Sequence, residues 1–135
     1  MISFQVYGLP AAQGSKNPWG GEANKQLKPW RNDVAVAALA SLNGEPLIAG
    51  PVSLRAVFIF PRPKSHYRTG KRAGDVKENA PGWKTSAPDL DKLVRAVGDA
   101  LTGVLFRDDA QIVDIAVTKI YGQTPGVHVK IEELE

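Results

Sequence analysis

A chain of 135 residues with 43% hydrophobic residues is long enough for one modest core and too short for two. Its 17 Lys and Arg against 14 Asp and Glu leave a net charge of +3, which permits an acidic partner such as DNA. The absence of cysteine excludes disulfides, zinc-thiolate sites and a cysteine nucleophile, and there is no long apolar run or basic-apolar leader, so a cytoplasmic protein without a membrane span is expected.

The run from Ile2 to Tyr7 alternates apolar and polar residues and reads as a strand ending at Gly8-Leu9-Pro10. The following stretch, up to Gly14-Ser15-Lys16, superficially resembles a phosphate loop. It fails that pattern in glycine spacing, in placing Ser before Lys, and in opening onto Asn17-Pro18 rather than a helix. A loop whose Lys16 touches a DNA phosphate is the better reading. Residues 19–28 are loop-like, and Trp30 to Leu42 then reads as a helix with Val34, Ala37, Ala38 and Leu42 along one side, stopped by Asn43-Gly44. Its alanine-rich side suits packing or a dimer contact, not catalysis.

Pro51 to Phe60 is a second strand, central because its latter part is almost wholly apolar. From Arg62 to Lys84 the composition changes. Arg62, Lys64, Arg68, Lys71, Arg72, Lys77 and Lys84 stand against only Asp75 and Glu78, and so few apolar residues cannot build a core. A flexible basic loop at about 62–85 is expected, read either as a solvated linker or as a surface for phosphates. Tyr67 and Trp83 sit among its charges and suit stacking on exposed bases, with a core position equally open to Trp83. His66 and His128 are isolated and are not assigned as ligands.

Acid is concentrated in the next segment. Pro88 favours an extended Ala87 and is accepted in a first helical turn, so a helix should begin between Ser86 and Asp89. Its apolar stripe is Leu90, Leu93, Val94, Val97 and Leu101, while Asp91, Arg95 and Asp99 recur on another face. Residues two apart diverge within a helix but lie on one side of an extended chain, so Asp89 and Asp91 can cooperate only at the helix start. There the helix dipole favours their ionised forms by roughly 0.3 to 1 kcal/mol each. The return of the chain through Gly103 offers to bring Asp108 and Asp109 towards them, and converging carboxylates without Cys or His suit Mg²⁺ or Mn²⁺. The same acids also read as a helix cap, an Asp91–Arg95 surface pair and a turn.

Gln111 to Tyr121 is a third strand with Val113, Ile115, Val117 and Lys119 on one face and Ile112, Ala116 and Ile120 on the other. With both faces largely apolar, it is expected inside the sheet. Gly122 to Gly126 turns into an antiparallel final strand from Val127. The whole reads as a single α/β (α+β) domain, a small mixed sheet with two main helices.

The compound pattern Pro88-Asp-x-Asp-x-Leu-x-x-Arg-x-x-x-Asp-Ala-Leu-x-Gly, then Asp108-Asp-x-Gln-Ile and Lys119, resembles the RusA family of Holliday junction resolvases. The resemblance implies a homodimeric, Mg²⁺-dependent endonuclease that cuts four-way junction DNA symmetrically. It implies Asp89, Asp91 and Asp109 as the essential carboxylates and Asp108 and Asp99 as supporting acids. Where family members carry Lys one turn after the second Asp, this chain has Arg95, which grips phosphate well but donates a proton poorly, so electrostatic stabilisation is its expected part. The Asn common after the second Asp is replaced by Lys92. Lys119, facing the carboxylates, would hold the scissile phosphate, against the alternative of a surface lysine. Two other functions fit the same residues: a branched-DNA-binding protein without catalysis, and a nuclease acting mainly on flaps.

Overall fold

The computed structural model describes residues 1–14 and 25–135. Lys16 lies outside them. Four strands form one sheet in the order β1-β4-β2-β3, from β1 (Ile2–Tyr7), β2 (Val52–Phe60), β3 (Ile112–Tyr121) and β4 (Gly126–Glu133). Helices α1 (Leu27–Leu42) and α2 (Leu90–Leu101) pack on each other, α1 also against β1 and α2 against β3.

The strand alternation expected from the sequence builds the core. Leu54, Ala56, Phe58 and Phe60 of β2 are buried with Phe4 and Val6 of β1 and Val127, Val129 and Ile131 of β4, while Arg55 and His128 point to the opposite, exposed face. From the helices come Leu27, Trp30, Val34, Ala38 and Leu42 of α1 and Leu93, Val97 and Leu101 of α2. Helix α1 starts three residues before Trp30, because Pro29 is tolerated in a first turn, and Asn43 in the left-handed region ends it. No described helix is long and apolar enough to cross a membrane.

The final strand is antiparallel as expected, but it pairs with β1 and β2 and not with β3. Strand β2 is thereby central, and β3, parallel to it after the α2 crossover, takes the outside of the sheet. The third strand, expected inside the sheet because both its faces are apolar, is thus an edge strand with Val113 61% and Ile115 50% exposed.

The basic segment between β2 and α2 contains two short 3₁₀ turns, Lys64–His66 and Gly70–Arg72, and a bridge between Tyr67 and Val76. It is fastened to the sheet where Gly82 and Lys84 hydrogen-bond the outer edge of β3, at Tyr121 and Lys119. Trp83 bridges Ile120 through its backbone and exposes 65% of itself, so it is not a core residue.

Candidate active site

Asp89 and Asp91 stand at an extended-to-helix junction. Asp89 keeps extended backbone angles, φ −69° and ψ 139°, as the residue before α2, and Asp91 falls in the first helical turn. The capping alternative does not describe Asp89, whose side chain makes no capping hydrogen bond. Its carboxylate instead lies 3.6 Å from the Lys92 ammonium. Asp91 lines a shallow groove with Leu90 and Val94 of α2 and Ile115 and Val117 of β3.

Lys119 fixes this junction from the sheet side. In register with Phe58, it faces the helix layer, and its Nζ donates to the carbonyl oxygens of Ser86 at 2.7 Å and Pro88 at 2.6 Å. These are the two carbonyls flanking the Ala87-Pro88 cis peptide that leads into Asp89. The lysine therefore positions the backbone that carries the carboxylate, a use of the side chain that its strand position did not suggest.

Asp108 and Asp109 form a separate group. Asp108 caps a 3₁₀ turn, Asp109–Gln111, by accepting from the Ala110 N–H at 3.0 Å, and this bond holds its carboxyl below the ordinary aspartate value. Asp109 is pushed above that value, chiefly by the hydrogen bond it shares with Asp108 and further by the charges of Asp108 and Asp99. Asp99 in turn accepts from the Gln13 amide, which also accepts from Arg31 at 2.8 Å. Of the helix acids, it is Asp99 whose charge Asp109 feels, and Gly98 faces Ile112 at the start of β3. The return of the chain thus carries Asp109 to the C-terminal part of α2, ~15 Å along the helix from Asp89 at 1.5 Å per residue. Among the described residues no three carboxylate or imidazole groups come close enough to share an ion.

Gln111 decides where that return goes, and its function was not anticipated. Its Nε2 donates to the carbonyls of Ile48 and Gly50, both at 2.9 Å, while its Oε1 accepts from the N–H groups of Arg107 at 2.9 Å and Asp108 at 3.1 Å. The Asp108-x-x-Gln111 spacing is that of a capping box, so the signal was present in the sequence. Gln111→Ala strands backbone groups on two segments. It should cost about 2 to 3 kcal/mol in urea unfolding, and a loss below ~0.5 kcal/mol, within the range of ordinary surface substitutions, would show that the clamp is not needed.

The basic side chains divide into two sets. Arg62 and Lys84 hold the segment together: Arg62 lies 5.5 Å over the Tyr121 ring and donates to the Pro81 carbonyl, and Lys84 lies 5.2 Å over Phe60 and 5.4 Å over Tyr121. Lys64, Lys71 and Lys77 are exposed. Arg68, Arg72 and Lys77 line a cleft of about 510 Å³, with Arg72 paired to Asp75 at 3.2 Å. Arg95 is exposed on α2, on the same side of the helix as Asp91 and Asp99.

Residues 11–132 match the family described as endodeoxyribonuclease RusA. The chain is 36% identical over 141 residues to the uncharacterised protein YqaN of Bacillus subtilis (strain 168), covering 98% of this chain and 96% of that protein. It is 36% identical over 53 residues to the crossover junction endodeoxyribonuclease rusA of Lactococcus phage r1t, 38% of this chain and 40% of that protein. With the family match running from before α1 into β4 and spanning both acidic groups, the chain belongs to the RusA family of junction-resolving endodeoxyribonucleases and is a phosphodiester hydrolase.

Proposed function

We propose that this protein resolves four-way DNA junctions as a magnesium-dependent homodimer, cutting two strands of like polarity symmetrically during recombination and repair in the cytoplasm. The observation that carries the reading is the Asp89-x-Asp91 pair at the start of α2, with Asp89 free of capping and its backbone held by Lys119.

The donor set fits a hard cation. Asp89, Asp91 and Asp109, with Asp108 beside it, offer only carboxylate oxygens, which suits Mg²⁺, with Mn²⁺ as a substitute. When bound, such an ion makes water a usable nucleophile at neutral pH and offsets the charge that builds on the phosphate. Because α2 separates Asp109 from Asp89 within one chain, a second copy supplies the missing carboxylate, and a two-fold axis presents two such centres to the junction. Arg95 grips the phosphate bidentately, and Lys119, bonded to the Ser86 and Pro88 carbonyls, adds positive charge beside the junction. Lys16, Arg68, Arg72, Lys64, Lys71 and Lys77 draw in the DNA arms, with Arg62 and Lys84 shaping the segment that presents them.

The test is an assay of synthetic four-way, flap and linear duplex DNA with Mg²⁺ and with chelator. Symmetric cutting of the four-way junction only with metal is the expected result. Tight binding without cutting under any metal would replace this reading with a non-catalytic branched-DNA binder, and equal cutting of flaps would replace it with a general branch nuclease.

A further inference from the structure

The two faces of the sheet meet different surroundings. Helices α1 and α2 and the junction held by Lys119 lie on one face, which is the buried one. On the other, Arg55 of β2 stands directly opposite Lys130 of β4, and the next pair along is Val57 and His128. Side chains paired in this way have Cβ atoms about 4.5 to 5.5 Å apart, and like charges at that separation destabilise the sheet. Neither cation is neutralised, since Arg55 and Lys130 form no ion pair among the described residues. With His128 they border a depression of about 430 Å³ that is also lined by Val57, Ala116 and Thr118.

We propose that this depression docks a short acidic peptide of a partner protein, in which a carboxylate stands beside an apolar side chain. Charge complementarity is the first argument. A carboxylate between Arg55 and Lys130 cancels their repulsion, and the planar guanidinium can take both of its oxygens at once. The extent of the patch is the second. Asp114 of β3 and Glu132 of β4 are both in register with Ser53, two residues before Arg55 and about 7 Å along the strand. A continuous phosphate chain laid along the sheet would run onto these acids, whereas a peptide with one or two carboxylates stops short of them. The lining is the third: Val57 and Ala116 offer apolar surface that a phosphodiester backbone has no use for and that an aliphatic or aromatic side chain would bury. Because the sheet separates this face from Asp89 and Asp91, a docked peptide leaves the acidic junction open. The site is therefore suited to recruiting the protein to a partner, and it does not rest on the nuclease reading.

A fluorescein-labelled peptide of alternating Asp and Leu, titrated into the full chain and followed by anisotropy, tests this. Saturable binding that weakens as salt is raised is the expected result. Arg55→Thr and Lys130→Thr should each weaken it about tenfold, and Lys130→Glu about a hundredfold. Threonine suits a strand, and removing one of two opposed cations should leave the urea midpoint at or above the native value, so the loss reads the site and not the fold. Exchanging Asp for Asn, or Leu for Ser, in the peptide should abolish saturation. No binding to the native chain, equal binding by the three variants, or equal binding of the Asn peptide overturns the proposal. A linear duplex that loses affinity across the three variants by the same factors as the peptide also overturns it, in favour of a phosphate-binding surface.

Discussion

Asp91→Asn lowers metal-dependent junction cleavage by about a thousandfold while folding and junction binding stay within twofold of the native protein. The size follows from what the substitution removes. Asparagine keeps the shape and one oxygen, so helix α2 and the groove beside β3 are undisturbed, but the charge that would hold a divalent ion is gone. About 4 kcal/mol of transition-state stabilisation corresponds to that factor. DNA binding should be spared, because most of the exposed cations proposed to meet phosphates lie on the segment between β2 and α2, away from Asp91. Single-turnover cleavage of a labelled four-way junction, beside a mobility-shift titration in Ca²⁺, measures the two effects separately. Equal loss in both would mean that Asp91 supports structure or DNA contact and not the hydrolytic step.

The second large effect is on stability. Phe58→Ala should cost about 3 to 5 kcal/mol, a fall of roughly 10 to 15 °C in Tm. Phe58 is fully buried on β2, between Val127 of β4 on one side and Lys119 of β3 on the other, and it faces the helix layer. Truncation leaves a cavity that a strand bonded on both edges cannot collapse into. Denaturation followed by far-ultraviolet circular dichroism checks this; a cost below ~1.5 kcal/mol would place Phe58 outside the core that the burial pattern assigns to it.

Phe58 also shows how far the sequence could be read. The run from Val52 to Phe60 announces a central strand, and it is one, with partners on both sides. The run from Ile112 to Tyr121 is patterned in nearly the same way, yet β3 is at the edge. Apolar residues on both faces can mean enclosure within a sheet or an uncovered surface, and composition does not distinguish the two. The helix stripe has the same ambiguity: Leu93 and Val97 are buried in the core, whereas Leu90 and Val94 are half-buried and line the groove.

The acidic residues divide likewise. Asp89 and Asp91 were legible at an extended-to-helix junction because Pro88 limits how early a helix can begin, a purely local constraint, but α2 starts at Leu90, after the expected span, and Pro88 lies outside it in a cis peptide and not in the first turn. The position of Asp109 was not legible, since it depends on long-range contacts: Leu105 and Phe106 are buried after α2, the Ile48 N–H donates to the Leu105 carbonyl at 2.8 Å, and Gln111 ties the turn to Ile48 and Gly50. Lys119 was placed on the correct face, but its bonds to Ser86 and Pro88 require knowing which segment passes over it.

The short cover that Gly82–Lys84 lays over one end of β3 has a consequence for assembly size. A bare strand along its whole length can accept neighbours in shifted alignments and string molecules into fibres. With one end blocked, fewer alignments are open to an incoming strand. Three residues of loop backbone thereby limit open-ended strand addition at this edge.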